Sequence, residues 1–287
     1  MNWRRGIVLK SRHELELMRE AGRINALALA AALEVLRPGV STGEINAAAA
    51  EVLRKHGAKP AFVGVPGAYP YPAETTISVN DELVHGIPGD RKLRAGDIVS
   101  IDCGTVYEGF VGDSALTVGV GEVSLEAERL MRVTCEALFE GIRMMMPGNR
   151  TGDVSAAIQA HVEANGFEVV REYTGHGVGR SMHEDPQVPN YGTPGRGVEL
   201  KPGMTVALEP MVLAGSPRTR VLADQWTVAS VDGALTAHFE HTVAVTEEGP
   251  WVLTAIDPGV DEGVWIRYNN YFAGRLHPEA GGRSDKR

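Results

Sequence analysis

Asp102 and Asp113 stand eleven positions apart, each in a short run of strand character (98–103 and 110–118), with Tyr107-Glu108-Gly109 between them. The pattern predicts a β-hairpin. A two-residue turn on Tyr107 and Glu108 pairs Asp102 directly with Asp113, on one face and with Cβ atoms ~5 Å apart. Carboxylates that close, flanked by Val99 and Ile101, cannot both ionise unaided. One must keep its proton, or a cation must lie between them. On the hairpin alone, two solvated turn aspartates are the simpler reading. Three residues further along change that balance. His176 sits among glycines (Gly175-His176-Gly177-Val178-Gly179), Glu209 follows Val206-Ala207-Leu208, and Glu240 lies between Phe239 and His241. Four carboxylates and one imidazole suit two divalent cations that share ligands. Such a pair activates water and polarises a carbonyl, which is hydrolase chemistry. The glycines around His176 do not make a phosphate loop, since Gly-x-Gly-x-Gly lacks the G-x-G-x-x-G spacing and no helix pattern follows.

The elements that must position these groups repeat. Ser11-x-x-Glu14 and Ser41-x-x-Glu44 are capping boxes that open two helices. The first is marked by Leu15, Met18, Ala21, Leu29, Leu33 and Leu36 and stopped by Pro38-Gly39; the second runs to about His56. Two more helices are predicted over 125–146 and 153–164. Pro38-Gly39-x-x-Thr42-Gly43 matches Pro147-Gly148-x-x-Thr151-Gly152 at an offset of 109. The strands repeat as well: Leu93-x-x-Gly96-x-x-Val99-x-x-Asp102 aligns with Leu200-x-x-Gly203-x-x-Val206-x-x-Glu209, and Asp113 aligns with Glu240. Strands are expected over 75–79, 168–172, 204–208 and 238–245. The reading is one α+β domain over 1–260, in two pseudo-symmetric halves (about 11–120 and 121–256). Four carboxylates converge at the seam. Beyond lies a tail over 261–287, in which Trp265, Ile266, Tyr268, Tyr271 and Phe272 are expected to pack on the body and Gly281 to Arg287 to be disordered.

Composition sets the bounds. A hydrophobic fraction of 43% with 23% charged residues is that of a globular protein with ample core. The net charge of −9 argues against direct nucleic-acid binding. Cys103 and Cys135 form neither a CxxC pair nor a disulfide framework, which fits a reducing, cytoplasmic setting. The apolar stretch after Arg4-Arg5 is too short for a signal peptide, and no run approaches a membrane span.

The ordered set of motifs resembles a known family. Asn80-Asp81-x-x-Val84-His85-Gly86-Ile87-Pro88, Ile101-Asp102, Gly112-Asp113-Ser114, Thr174-Gly175-His176-Gly177, Met182-His183-Glu184-Asp185-Pro186, Leu208-Glu209-Pro210 and Phe239-Glu240-His241-Thr242 are similar to those of type I methionine aminopeptidases, of the pita-bread metallopeptidase superfamily. The resemblance spans about 11–256. It implies the pita-bread fold, an antiparallel β core with helices outside. It implies two divalent metal ions (Co, Mn, Fe(II) or Zn), one held by Asp102, both bridged by Asp113 and Glu240, the second completed by His176 and Glu209. The implied activity is removal of the N-terminal methionine from nascent proteins when the second residue is small. The resemblance further implies that a hydroxide held between the cations would attack the first peptide bond, with Glu209 as proton shuttle. His183 would stabilise the tetrahedral intermediate, and His85 would contact the scissile nitrogen or departing peptide. Tyr71, Thr76, Met182 and Trp226 are the implied walls of a methionine pocket. The family often has cysteine near the Thr76 position and phenylalanine near the Met182 position, so the pocket departs from the pattern there. A monomer acting near the ribosome is implied by the substrate class.

Two rivals remain. An Xaa-Pro aminopeptidase or prolidase shares these ligands and usually carries a separate N-terminal domain. A metal-free binding module on the same scaffold is expected to lose ligands, and all five are present here.

Overall fold

The computed structural model describes residues 4–257 and 268–272. Helix α1 (Arg12–Val35) and helix α2 (Thr42–Lys55) begin at the two expected capping boxes. In each, the serine hydroxyl accepts from the N3 backbone N–H and the N3 glutamate accepts from the serine N–H. Helix α3 (Leu125–Arg143) stops three residues short of the expected 146. There Met144 and Met145 donate to Gly141 and Ile142, the tighter bonding common at helix ends. Helix α4 (Thr151–Ala164) begins two residues earlier than expected, with Asp153 accepting from the Arg150 N–H. α1 packs with α2, and α3 with α4, so the helical part of the repeat is present in three dimensions.

The first half builds an antiparallel sheet from Thr75–Val79, Ile98–Tyr107 and Phe110–Gly119. The second half contributes Thr174–Gly177, Glu184–Pro189, Thr205–Leu208, His241–Thr246 and Gly249–Val252 to a six-stranded sheet whose edge is Arg4–Ile7. Two expected strands are shorter. The 168–172 strand is only Glu168–Val169, and the 238–245 run is broken into Thr236–His238 and His241–Thr246. Glu240 falls in the break.

That break is the seam between the halves. Ala115 and Glu240 exchange backbone bonds (3.4 Å and 2.8 Å) across it. On one side the Thr242 hydroxyl donates to Asp113 O (2.9 Å) and accepts from Asp113 N (3.0 Å). On the other the Thr117 hydroxyl does the same for His238 O (2.9 Å) and N (2.8 Å). The two sheets therefore splay apart by a threonine side chain on either side of one backbone pair, and those hydroxyls bond the backbone groups of Asp113 and His238.

The aspartate hairpin is real but its register is not the expected one. The turn lies one residue later, on Glu108 (φ 47°) and Gly109 (φ 78°), both in the left-handed region that a two-residue hairpin turn needs. Asp102 consequently pairs with Ala115, and Asp113 with Gly104. A shift of two in the pairing keeps the face, so both aspartates still project to one side.

α1 lies directly on the Phe110–Gly119 strand through Gly22 and Gly112. A Cβ on Gly112 would fall 2.5 Å from Gly22 N, and one on Gly22 would fall 2.3 Å from Leu253 O. In the tail, Tyr268 and Phe272 are buried. The Phe272 ring lies 4.3 Å from the ring of His241, and the Tyr268 hydroxyl donates to Thr254 O (3.3 Å). Trp265, Ile266 and 281–287 lie outside the described residues. No helix among the described residues is long and apolar enough to cross a membrane.

The Gly22 contact is testable. Gly22→Ala should lower stability by about 1–3 kcal/mol, because backbone rather than a movable side chain blocks the methyl group. A lower urea midpoint at unchanged slope is the expected result, and an unchanged midpoint contradicts this packing.

Candidate metal centre and substrate pocket

The residues singled out by sequence meet at one cavity of about 370 Å³. Asp102, Asp113, His176, Glu209 and Glu240 form its floor. His85 and His183 stand at its sides, and Tyr71, Thr76, Met182 and Trp226 line its walls.

Each carboxylate arrives from a different piece of the repeat. Asp102 and Asp113 stand on the hairpin. Glu209 leaves the end of Thr205–Leu208, where its own carbonyl accepts from Asn190 Nδ2 (3.0 Å). Glu240 enters at the seam. Asp113, His176 and Glu240 bring one ligand atom each to within 4.8 Å of one another. His176 Nε2 lies 3.9 Å from Asp113 Oδ2 and 3.5 Å from Glu209 Oε1. Its Nδ1 lies 2.9 Å from Gly177 O. A carbonyl can only accept, so Nδ1 carries the proton and the Nε2 lone pair faces the carboxylates.

Electrostatically the floor is out of balance. Burial pushes the carboxyls of Asp102, Glu209 and Glu240 well above the usual range, and neighbouring carboxyls add to this. Burial raises Asp113 to about 8 against a hydrogen bond with Glu240 that works the other way. The imidazoles move in the opposite direction. Burial lowers His176 to about 3 and both His85 and His183 to about 4, so all three are neutral at pH 7. Among the described residues no Lys or Arg lines the cavity. Asp102 Oδ1 and Asp113 Oδ1 are buried without a hydrogen-bond partner among the described residues. Orphaned buried carboxyl oxygens beside a neutral imidazole lone pair fit divalent cations. They fit nothing in the chain itself.

Gly104 makes the adjoining space. It sits opposite Asp113 with no side chain to fill the face, and a Cβ there would fall 2.9 Å from Ala61 Cβ and 3.3 Å from Met182 Cε. Trp226 stands edge-on to Tyr71 (5.1 Å between centroids), and Phe62 does likewise (6.4 Å). The Tyr71 hydroxyl is turned away, toward Gly86 O (2.9 Å) and Thr75 O (3.1 Å), so only its ring faces the cavity. The result is an apolar, aromatic compartment beside the carboxyls. His85 adopts φ 62°, a left-handed conformation uncommon for a residue with a Cβ. It aims the ring between Tyr173 and Trp226. His183 lies over His176 at 4.4 Å between centroids. His241, the residue after Glu240, is buried with Nδ1 2.8 Å from Thr254 Oγ1.

Several lining residues went unread in the sequence. Phe62 and Val65 come from an irregular loop with no periodicity to reveal them. His238 is buried beside Glu209 and Glu240, 3.8 Å from each. Its signal was available: residue i−2 from Glu240 shares that residue's side of an extended chain.

Comparison with known proteins agrees with this geometry. The model of metallopeptidase family M24 matches residues 16–247. A methionine aminopeptidase of Clostridium perfringens is 51% identical over 250 residues, covering 87% of this chain and 99% of that protein. The crystal structure of a methionine aminopeptidase from Thermotoga maritima superposes with a TM-score of 0.84 at 49% identity, covering 87% and 99% of the two chains. A prolidase from Pyrococcus furiosus shares the fold more distantly, with a TM-score of 0.69 at 23% identity over 66% of its own length. On the strength of its match to the family model and to relatives over nearly their whole length, this chain belongs to metallopeptidase family M24, among its type I methionine aminopeptidases.

Proposed function

We propose that the protein hydrolyses the first peptide bond of polypeptides that begin with methionine and carry a small second residue. The observation that carries this reading is the junction of two compartments. An apolar aromatic pocket opens directly onto a floor of four carboxyl groups and a neutral imidazole. An unbranched thioether side chain fits the pocket by dispersion and sulfur–aromatic contact with Phe62, Tyr71, Trp226 and Met182.

Two divalent cations balance the charge of four carboxylates, which is the reason for assigning two. Asp102 would hold one, His176 and Glu209 the other, with Asp113 and Glu240 shared. A mixed oxygen and nitrogen donor set accepts Fe(II), Mn(II), Co(II) or Zn(II). When bound, such cations supply Lewis acidity, polarising a carbonyl and making water nucleophilic at neutral pH. The chain supplies the remainder. Glu209, at the mouth of the carboxyl cluster, holds and passes the proton that moves from water to the leaving amine. His183 donates a hydrogen bond to the developing oxyanion. His85, fixed by its left-handed backbone between two aromatic rings, meets the scissile nitrogen or the departing peptide. The pocket walls exclude water from the reacting bond.

On this reading residues 1–260 form the catalytic unit, in halves of about 11–120 and 121–256. The substrates are nascent chains, and the protein works in the cytoplasm, as a monomer, close to the ribosome.

Two outcomes are expected. Metal-stripped protein resupplied with Co(II) or Mn(II) should release methionine from Met-Ala-Ser and leave Ala-Pro-Ser intact. Glu209→Gln should lower kcat by at least about 10²-fold. Cleavage of Ala-Pro-Ser would move the specificity to Xaa-Pro, and cleavage of neither peptide by metal-loaded protein would refute the proposed activity. The second outcome concerns pH. Asp113 rises from 3.8 to about 8 on folding without metal, so the unfolded chain gives up a proton that the folded chain keeps. Its contribution to metal-free stability is present in acid and lost as pH rises through that window. Metal-free protein should therefore lose thermal stability between pH 5 and 8, while added cation, which displaces the protons, should raise Tm more at pH 8 than at pH 5. A metal-induced Tm shift that is the same at both pH values contradicts the cluster's electrostatics.

A further inference from the structure

His238 is not among the five residues assigned to hold metal, yet it is as deeply placed as any of them. Its side chain is 2% exposed and reaches the cavity beside Glu209 and Glu240. Its backbone is pinned on both sides, N–H and carbonyl alike, by the Thr117 hydroxyl at the seam. The seam therefore fixes the backbone from which the ring projects. Its Nε2 is buried without a hydrogen-bond partner among the described residues and lies 3.8 Å from Glu209 Oε2 and 3.8 Å from Glu240 Oε2.

Glu209 stands between two imidazoles. Oε1 is 3.5 Å from His176 Nε2, and Oε2 is 3.8 Å from His238 Nε2. The two rings cannot play the same part. His176 Nδ1 donates to Gly177 O, so its Nε2 presents a lone pair on the cation side. The Oε2 side is where Glu209 needs a donor, because a carboxylate with one oxygen on a cation leaves the other unsatisfied in a buried place.

We propose that His238 is a positioning residue for Glu209. Its Nε2–H donates to Oε2, so that Oε1 is the oxygen presented to the cation and the carboxylate keeps one orientation through the reaction. The proposed bond requires the Glu209 carboxylate to rotate so that the 3.8 Å gap closes to hydrogen-bond length. Glu240, at the same distance on the other flank, would be a shared carboxylate on the proposed reading, with both oxygens turned to the cations, which leaves Glu209 as the acceptor. Partners of this kind, one step out from a metal, orient the ligand that they touch and tune its hold on the ion.

The inference rests on the metal-centre reading, and the test separates the two. Wild type, His238→Leu, His238→Gln and His238→Ala are titrated with Co(II) by calorimetry and by visible absorption. Hydrolysis of Met-Ala-Ser is then followed for each. His238→Leu and His238→Ala should weaken Co(II) binding by about 10- to 100-fold. They should also alter the visible Co(II) bands and lower kcat while KM stays within about threefold. His238→Gln, which offers an amide N–H in place of the imidazole N–H, should restore affinity, bands and kcat to within about threefold of wild type. Wild-type affinity and bands in His238→Leu would overturn the proposal. An equal loss in His238→Gln and His238→Leu would do so too, since the ring would then be a ligand or a packing element and not a donor. Failure of wild type itself to bind Co(II) would overturn the metal reading first, and this inference with it.

Discussion

Four carboxyl groups share one buried floor without a Lys or Arg among the residues that line it, and that repulsion is the constraint that the rest of the structure answers. Buried like charges raise one another's affinity for protons. The fold nevertheless pins all four. Asp113 is held through both of its backbone groups by Thr242, and Glu240 by a reciprocal pair with Ala115. Holding the backbones rigidly while leaving carboxyl oxygens without partners stores no benefit for the chain alone. On the proposed reading it prepares a place where cations would replace protons, and the free energy of that exchange would return to the folded state.

The seam explains why the repeat matters to chemistry. Each half contributes one carboxylate near a strand end and one on the returning strand. At the join, threonine hydroxyls stand in for ladder bonds, so the two sheets diverge with the backbone groups of Asp113 and His238 still bonded. The divergence opens the cavity, and the paired backbone at Ala115 and Glu240 fixes its floor. Beside it, Gly104 removes a side chain opposite Asp113, and Met182, Phe62 and Ala61 converge on that space. The apolar pocket and the polar floor are thus consequences of one strand pairing.

Much of this was legible in the sequence because it rests on local signals. Serine and glutamate three apart opened α1 and α2 as expected, and the offset of 109 located the halves. The hairpin register was not legible to the residue. Turn placement depends on which two positions tolerate left-handed backbone, and Glu108-Gly109 satisfies that better than Tyr107-Glu108. The face survived the error because the pairing moved by two. Phe62 and Val65 escaped because an irregular loop has no period to read. His238 carries no motif of its own beside Glu240 and His241, although its spacing alone places it on the side of Glu240. The left-handed backbone of His85 is a tertiary effect that no sequence pattern announces.

The central claim is that the carboxyl floor is a two-cation site, and the most direct measurement is stoichiometry. Metal-stripped protein is dialysed to equilibrium against Mn(II) near neutral pH, and bound metal per chain is counted. The account predicts two equivalents for wild type, falling when Asp113 or Glu240, the shared ligands, is changed to alanine. A folded protein that binds no Mn(II), or one whose uptake is unaffected by those two substitutions, would contradict it.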